Sequence, residues 1–146
     1  MSYLLDTNVL SELRRRDPDA NVLQWFAERP ANTLFLSVLT VGELRKGIEV
    51  LADSPRQLAL LDWLETELPL FFSGRILPVD TQVAERWGRL MAQAQRPLPA
   101  IDSLLAATAL THNLTLVTRN LRDFQHPDLK VIDPWLGVMV RVRGCG

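Results

Sequence analysis

The sequence predicts an α/β fold built on a mostly parallel sheet of five strands, and three observations carry that prediction. Apolar periodicity switches repeatedly between short strand-like runs and longer helix-like runs, the pattern in which helices cover a sheet. Helix-like runs fill the connections between strands, and connections that contain helices join parallel strands. The chain has 146 residues, 47% of them hydrophobic and 23% charged, which suits one domain (1–146) burying about two-thirds of its unfolded surface.

Taken in order, the first strand is Tyr3-Leu4-Leu5, ending at Asp6, with a helix from Asn8 to Leu13. Residues 20–28 read as a helix with Val22, Leu23 and Phe26 on one face, and Leu34 to Val38 as the second strand. A helix then opens at Thr40, and residues 56–70 carry Leu58, Leu61, Leu64 and Leu68 at helical spacing. Ile76 to Val79 is a short third strand, which Pro78 places near a sheet edge. From Thr81 to Ala94, the apolar set Val83, Trp87, Leu90, Met91 and Ala94 forms one helical face. Pro97 and Pro99 precede a small-residue helix, Ser103 to His112, stopped by Asn113. Thr115 to Thr118 and Lys130 to Ile132 complete the strands, and Arg141 and Arg143 fall in a C-terminal tail.

Composition removes several function classes. Cys145 is the lone cysteine and His112 and His126 are the only histidines, which excludes a disulfide framework, a thiolate zinc cluster and a His-based metal site, and favours a reducing, cytoplasmic setting. The N-terminus has no basic n-region followed by an apolar stretch, and no run is long enough to span a membrane. A net charge of −1 is not that of a basic nucleic-acid binder. Gathering several acids in one site, however, leaves basic residues in the majority elsewhere, and nearly all of these are arginines, whose forks suit phosphate and carboxylate alike. Glycine-rich phosphate loops are absent, which removes the commonest nucleotide folds. A phosphatase with a strand-end Asp-x-Asp pair is also excluded, because Asn8 stands at the second position of Asp6-Thr7-Asn8.

In a parallel sheet, ligands bind beyond the carboxyl ends of the strands, so acids where a strand meets a helix are the candidate site. Asp6, Glu43, Asp102 and Asp123 all occupy such positions, Asp123 close to Asn120. Their convergence would raise their pKa values unless a cation neutralised them, and an all-oxygen set points to Mg²⁺ or Mn²⁺. Each acid also has a purely structural reading. Asp6 and Asp102 fit helix N-caps, and Thr40-Val-Gly-Glu43 fits a capping box. Asp80 shares the strand-to-helix position of Asp6, and spacing alone does not separate the two.

Four segments carry a family resemblance: Leu4-Leu-Asp-Thr-Asn-Val-Leu-Ser-Glu12, Ser37-Val-Leu-Thr-Val-Gly-Glu-Leu-Arg-Lys-Gly47, Ile101-Asp-Ser-Leu-Leu-Ala-Ala-Thr-Ala109 and Leu116-Val-Thr-Arg-Asn-Leu-Arg-Asp-Phe124. In order and spacing the chain resembles PIN-domain ribonuclease toxins of the VapC type, FitB-like branch. The resemblance implies a three-layer α/β/α sandwich, and a carboxylate quartet that holds Mg²⁺ or Mn²⁺ and activates water to cut an RNA phosphodiester. The matching positions are Asp6, Glu43, Asp102 and, for the fourth, Asp123, with Asn120 at the place where many relatives carry an acid. Thr7, Asn8 and Thr118 match residues that orient carboxylates or waters, and Arg119 is the phosphate candidate beside them. The resemblance also implies a cognate VapB-like antitoxin, homodimers, contact with DNA only through the antitoxin, and no membrane. The alternatives are a related nuclease acting on structured DNA and a non-catalytic partner-binding module. Among the remaining basic residues, Arg14-Arg15-Arg16, Arg45 and Arg122 are weaker RNA contacts, and the four tryptophans Trp25, Trp63, Trp87 and Trp135 offer stacking surfaces.

Overall fold

The computed structural model describes residues 1–137 and 141–143. Cys145 therefore lies outside the described residues. Strands β1 (Tyr3–Leu5), β2 (Leu34–Ser37), β3 (Ile76–Leu77), β4 (Thr115–Val117), β5 (Lys130–Ile132) and β6 (Arg141–Arg143) form one sheet in the order β3-β2-β1-β4-β5-β6. The five expected strands are parallel, with Tyr3 paired to both Leu34 and Thr115. The sixth strand runs antiparallel to β5, so Arg141 and Arg143 belong to the sheet and not to a tail. Only three residues alternate there, too few for periodicity to separate a strand from a tail.

Alternation along β1 sends side chains into two cores. Tyr3 and Leu5 enter one with Val9, Val22, Leu36, Leu44, Trp63 and Phe72. Leu4 enters the other with Leu105, Ala109, Leu116, Phe124 and Val131. The first core is covered by α1 (Thr7–Leu13), α2 (Ala20–Ala27), α3 (Val38–Glu49), α4 (Pro55–Asp62) and α5 (Leu68–Phe71), the last two joined by a π-helical turn, Trp63–Glu67. The second is covered by α6 (Thr81–Gln93) and α7 (Ala100–His112). The result is a three-layer α/β/α sandwich. Trp87 is half-buried and ties the two outer helices together, its Nε1 donating to Ser103 Oγ at 2.9 Å. Asn113 ends α7 in the left-handed conformation (φ 54°), as its sequence position predicted.

Several boundaries differ from the expectation for physical reasons. Helix α3 opens at Val38, because Ser37 Oγ accepts from Leu39 N at 3.0 Å and already caps it. Thr40 is thus a buried residue inside the helix, its hydroxyl without a partner, and the Thr40–Glu43 capping box does not form. Helix α7 starts at Ala100, so Asp102 lies in the first turn and is not the N-cap. Leu58 and Leu23 are exposed; Leu60, Trp63, Leu64 and Leu68 carry the buried face of the 56–70 segment.

The outer edge is held by side chains as much as by ladder bonds. Strand β3 has two residues, and the Arg75 guanidinium just before it donates to the carbonyls of Ala31, Leu34 and Phe71 while stacking over Phe71 and Phe72. Past β3, Asp80 caps α6 by accepting from Val83 N at 2.9 Å, which answers the ambiguity with Asp6: this acid serves a helix start at the sheet edge. Asp80→Ala is expected to destabilise the protein by about 1 kcal/mol, read as a lower urea midpoint with an unchanged slope.

Candidate active site

The ladder between β1 and β4 continues one step past the strands, Asp6 N donating to Val117 O at 2.9 Å, while Thr118 N donates to Ile132 O at 2.9 Å across to β5. Asp6 and Thr118 therefore end adjacent central strands side by side. Asp6 caps α1, its Oδ1 accepting from Thr7 N at 2.7 Å. Its Oδ2 accepts from Thr118 Oγ1 at 2.8 Å and from Asn8 Nδ2 at 3.4 Å. The Thr118 hydroxyl in turn accepts from Asn8 Nδ2 (3.2 Å) and Asn120 N (3.0 Å), and Asn8 Oδ1 accepts from Arg119 N at 3.4 Å. On the other side, Thr7 Oγ1 donates to Glu43 Oε1 at 2.5 Å, tying α3 to α1.

Asp6, Thr7, Asn8, Glu43, Asp102, Arg119 and Asn120 all line one open cavity of about 450 Å³ at this end of the sheet. The cap reading and the site reading of Asp6 are thus both met by one side chain. Asp123 is the exception among the four acids. It lies at the end of a short 3₁₀ turn, Leu121–Asp123, and accepts from Asn120 Nδ2 at 2.7 Å, so that Asn120 faces the cavity and Asp123 stands behind it. Its charge still reaches the site, as Asp102 shows. Burial first, and then the nearby charges of Asp6, Asp123 and Glu43, together lift the Asp102 carboxyl from 3.8 to about 6. Asp6 is raised as well, burial outweighing the hydrogen bonds from Thr118 and Thr7 that favour its charged form, with Glu43 adding to the rise.

The cavity also takes in Ser11 and Glu12, which the sequence reading did not select, and Arg15 and Trp135, which it named only as a weaker RNA contact and a stacking surface. Ser11, Glu12 and Arg15 follow Thr7 and Asn8 at helical intervals, a spacing that does mark them. Glu12 is buried, accepts from Asp19 N at 2.9 Å and holds the exposed Arg15 at 3.3 Å. Trp135 lies under the Arg119 guanidinium, 5.1 Å from its ring centroid. Two of the other candidate arginines are engaged elsewhere: Arg14 sits over Trp63, and Arg45 pairs with Glu65 and Glu49.

A hard divalent cation fits this donor set. The acids supply only oxygens, and Asn120 adds an amide oxygen, which is the chemistry of Mg²⁺ and Mn²⁺. Among the described residues no three acids stand close enough to form a closed cage, an arrangement that suits an ion held by one or two carboxylates and otherwise by water or phosphate.

A model of the PIN domain matches residues 3–129. The chain belongs to the PIN domain family. It is 39% identical to the plasmid stability protein StbB of Pseudomonas syringae pv. tomato over 90% of this chain and 97% of that protein. It is 37% identical to the VapC ribonuclease Y4jK of Sinorhizobium fredii, over 90% and 96%. Among solved structures, the crystal structure of FitAcB from Neisseria gonorrhoeae superposes with a TM-score of 0.86 at 37% identity, covering 91% of this chain and 98% of that one. Other matched PIN domain structures are of toxin–antitoxin complexes, some bound to DNA. Among the described residues, no helix is long and apolar enough to cross a membrane.

Two measurements follow for this PIN domain site. Thr118→Val keeps the shape of a fully buried side chain while removing the donor to Asp6, and is expected to weaken Mn²⁺ binding about 10- to 100-fold by calorimetry in a protein that stays folded. Because the folded-state pKa of Asp102 is raised from 3.8 to about 6, its charged form opposes folding above that pH, and the opposition is relieved as pH falls toward 4. Asp102→Asn is therefore expected to be more stable than the native chain at pH 7.5 without metal, with the advantage shrinking toward pH 4 in parallel urea titrations.

Proposed function

We propose that this PIN domain is a metal-dependent endoribonuclease, the toxin of a type II toxin–antitoxin pair. The observation that carries the reading is the convergence of Asp6, Glu43 and Asp102, from three separate elements, on one cavity that also holds the exposed Arg15 and Arg119. Acids for a hard cation and guanidinium forks for phosphate, in one open groove, suit phosphodiester hydrolysis better than the binding of a neutral ligand. The names of its relatives point the same way.

In this reading one or two of the carboxylates of Asp6, Glu43 and Asp102 would hold Mg²⁺ or Mn²⁺ directly and the rest through water, and Asp123 contributes charge and the orientation of Asn120. When bound, the ion lowers the pKa of its water and offsets charge on the phosphoryl oxygens. The protein's own residues do the positioning. Thr118, Asn8 and the Thr7 amide fix both oxygens of Asp6, and Thr7 Oγ1 fixes one oxygen of Glu43, leaving the other to orient the attacking water. Arg119, flat against Trp135, presents its fork to a phosphate flanking the cut. A VapB-like antitoxin masks the site and makes the contacts with DNA. The exposed apolar side chains Val50, Leu51, Leu58, Leu70 and Phe71, on and around α3 to α5, provide surface for a homodimer and for that partner. A lone cysteine and the proposed RNA substrate both suit a cytoplasmic setting for the pair.

The test is cleavage of total RNA by antitoxin-free protein in Mg²⁺ or Mn²⁺, beside a chelator control. Discrete metal-dependent fragments are expected, reduced at least about a hundredfold in Asp6→Asn and Asp102→Asn; equal cutting by both variants would overturn the assignment of the site. Sedimentation at micromolar concentration is expected to give a dimer, and a monomer would count against the homodimer.

A further inference from the structure

A second cavity is larger than the carboxylate groove. It has a volume of about 630 Å³ and lies between the end of α6, the segment after it, α7 and residues 123–129. Two features make it an extension of the groove. The Asn120–Asp123 hydrogen bond partitions them, Asn120 facing one and Asp123 the other. On α7, the consecutive residues Asp102 and Ser103 likewise face the groove and the cavity. Its floor is apolar, with Leu90, Phe124 and Leu129 almost wholly buried. Its polar lining includes Gln93, Gln95, Gln125, Arg96 and His126. The three amides and Arg96 make no side-chain hydrogen bond among the described residues. His126 accepts at Nδ1 from Asp128 N at 3.1 Å, which leaves the proton on Nε2 as a donor.

We propose that this cavity is a base-recognition subsite, taking one unstacked nucleobase of single-stranded RNA next to the phosphodiester held in the carboxylate groove. The proposal rests on the ribonuclease reading and deepens it. A flat apolar floor accepts the face of a base. Amides offer the paired donor and acceptor that match a base edge, and single-stranded RNA is the form in which bases splay out to be read in this way. The volume lies within the range of small-molecule pockets and accommodates a purine. Charge agrees with the choice of occupant, since Arg96 is exposed and Asp123, the one acid among the described residues of the wall, is hydrogen-bonded to Asn120. The subsite thus gives the enzyme a means of choosing where in an RNA to cut.

Two readouts test it. In cleavage of an RNA of randomised sequence, the native protein is expected to prefer one or two bases at a position beside the cut. Gln93→Ala with Gln125→Ala, both surface positions whose loss leaves the fold intact by circular dichroism, are expected to reduce that preference about tenfold while the RNA is still cut. An unchanged preference overturns the subsite and leaves the ribonuclease reading standing. Independently of catalysis, photocrosslinking of the Asp6→Asn protein to short RNAs containing 4-thiouridine or 6-thioguanosine is expected to label residues 93–98 or 123–129. Labelling only elsewhere overturns the proposal, including the case in which a partner protein and not RNA occupies the cavity. Labelling there by an RNA that the native protein never cuts would uphold base binding and sink the ribonuclease reading.

Discussion

A carboxylate buried at the end of the central strand is the constraint around which the site is organised. Asp6 is 6% exposed, and an ionised group so placed must be compensated by hydrogen bonds or by opposite charge. The fold supplies Thr7 N, Thr118 Oγ1 and Asn8 Nδ2, and burial still wins, since the Asp6 pKa remains raised. Dipoles from the protein therefore offset only part of the cost of burial, and the rest is met by a proton or by a cation. The same holds for Asp102, where neighbouring acids add repulsion to the cost of burial. Stability is given up at this end of the sheet in return for a site prepared for positive charge.

Thr118 makes that arrangement cooperative. Its hydroxyl donates once and accepts twice, using its full capacity, and so links the ends of β1 and β4, helix α1 and the loop that carries Arg119 and Asn120. Loop residues 119–123 follow from this single atom. Asn120 N is fixed on it, the Asn120 amide then meets Asp123, and Arg119 turns toward Trp135. The position of the acid behind Asn120 thus depends on contacts between segments more than 100 residues apart in the chain.

That dependence explains what was legible in the sequence. The five parallel strands and the small-residue helix could be read because each is a local pattern at a predictable topological position, whereas Asp6, Glu43 and Asp102 were candidates by position and were preferred to Asp80 only through the family resemblance. The Thr40–Glu43 capping box misled because a better cap, Ser37, stands earlier at the strand end. Asp123 was legible as an acid near the site but not as one facing away from the groove, since the 3₁₀ turn that orients it has no sequence period. Glu12 went unselected because it sits on a short helix whose polar face resembles ordinary surface; Arg15 and Trp135 were named only as a weaker RNA contact and a stacking surface, because Arg15 follows that helix in a charged run and Trp135 reaches the groove only through the turn after β5. The second cavity had no sequence signal, its amides coming from segments 30 residues apart.

The Arg75 clamp has a consequence for how this protein associates with others. A sheet edge recruits foreign strands when it offers a row of free backbone groups. Here the β3 edge is two residues long, and the carbonyls around its start, those of Ala31, Leu34 and Phe71, are already bound by a guanidinium. An incoming strand would find almost no template on that side. Association at this edge then proceeds through helix side chains, whose shape and charge discriminate between partners, and not through backbone pairing, which any extended peptide can satisfy; this side of the protein is at once closed to foreign strands and selective in the company it keeps.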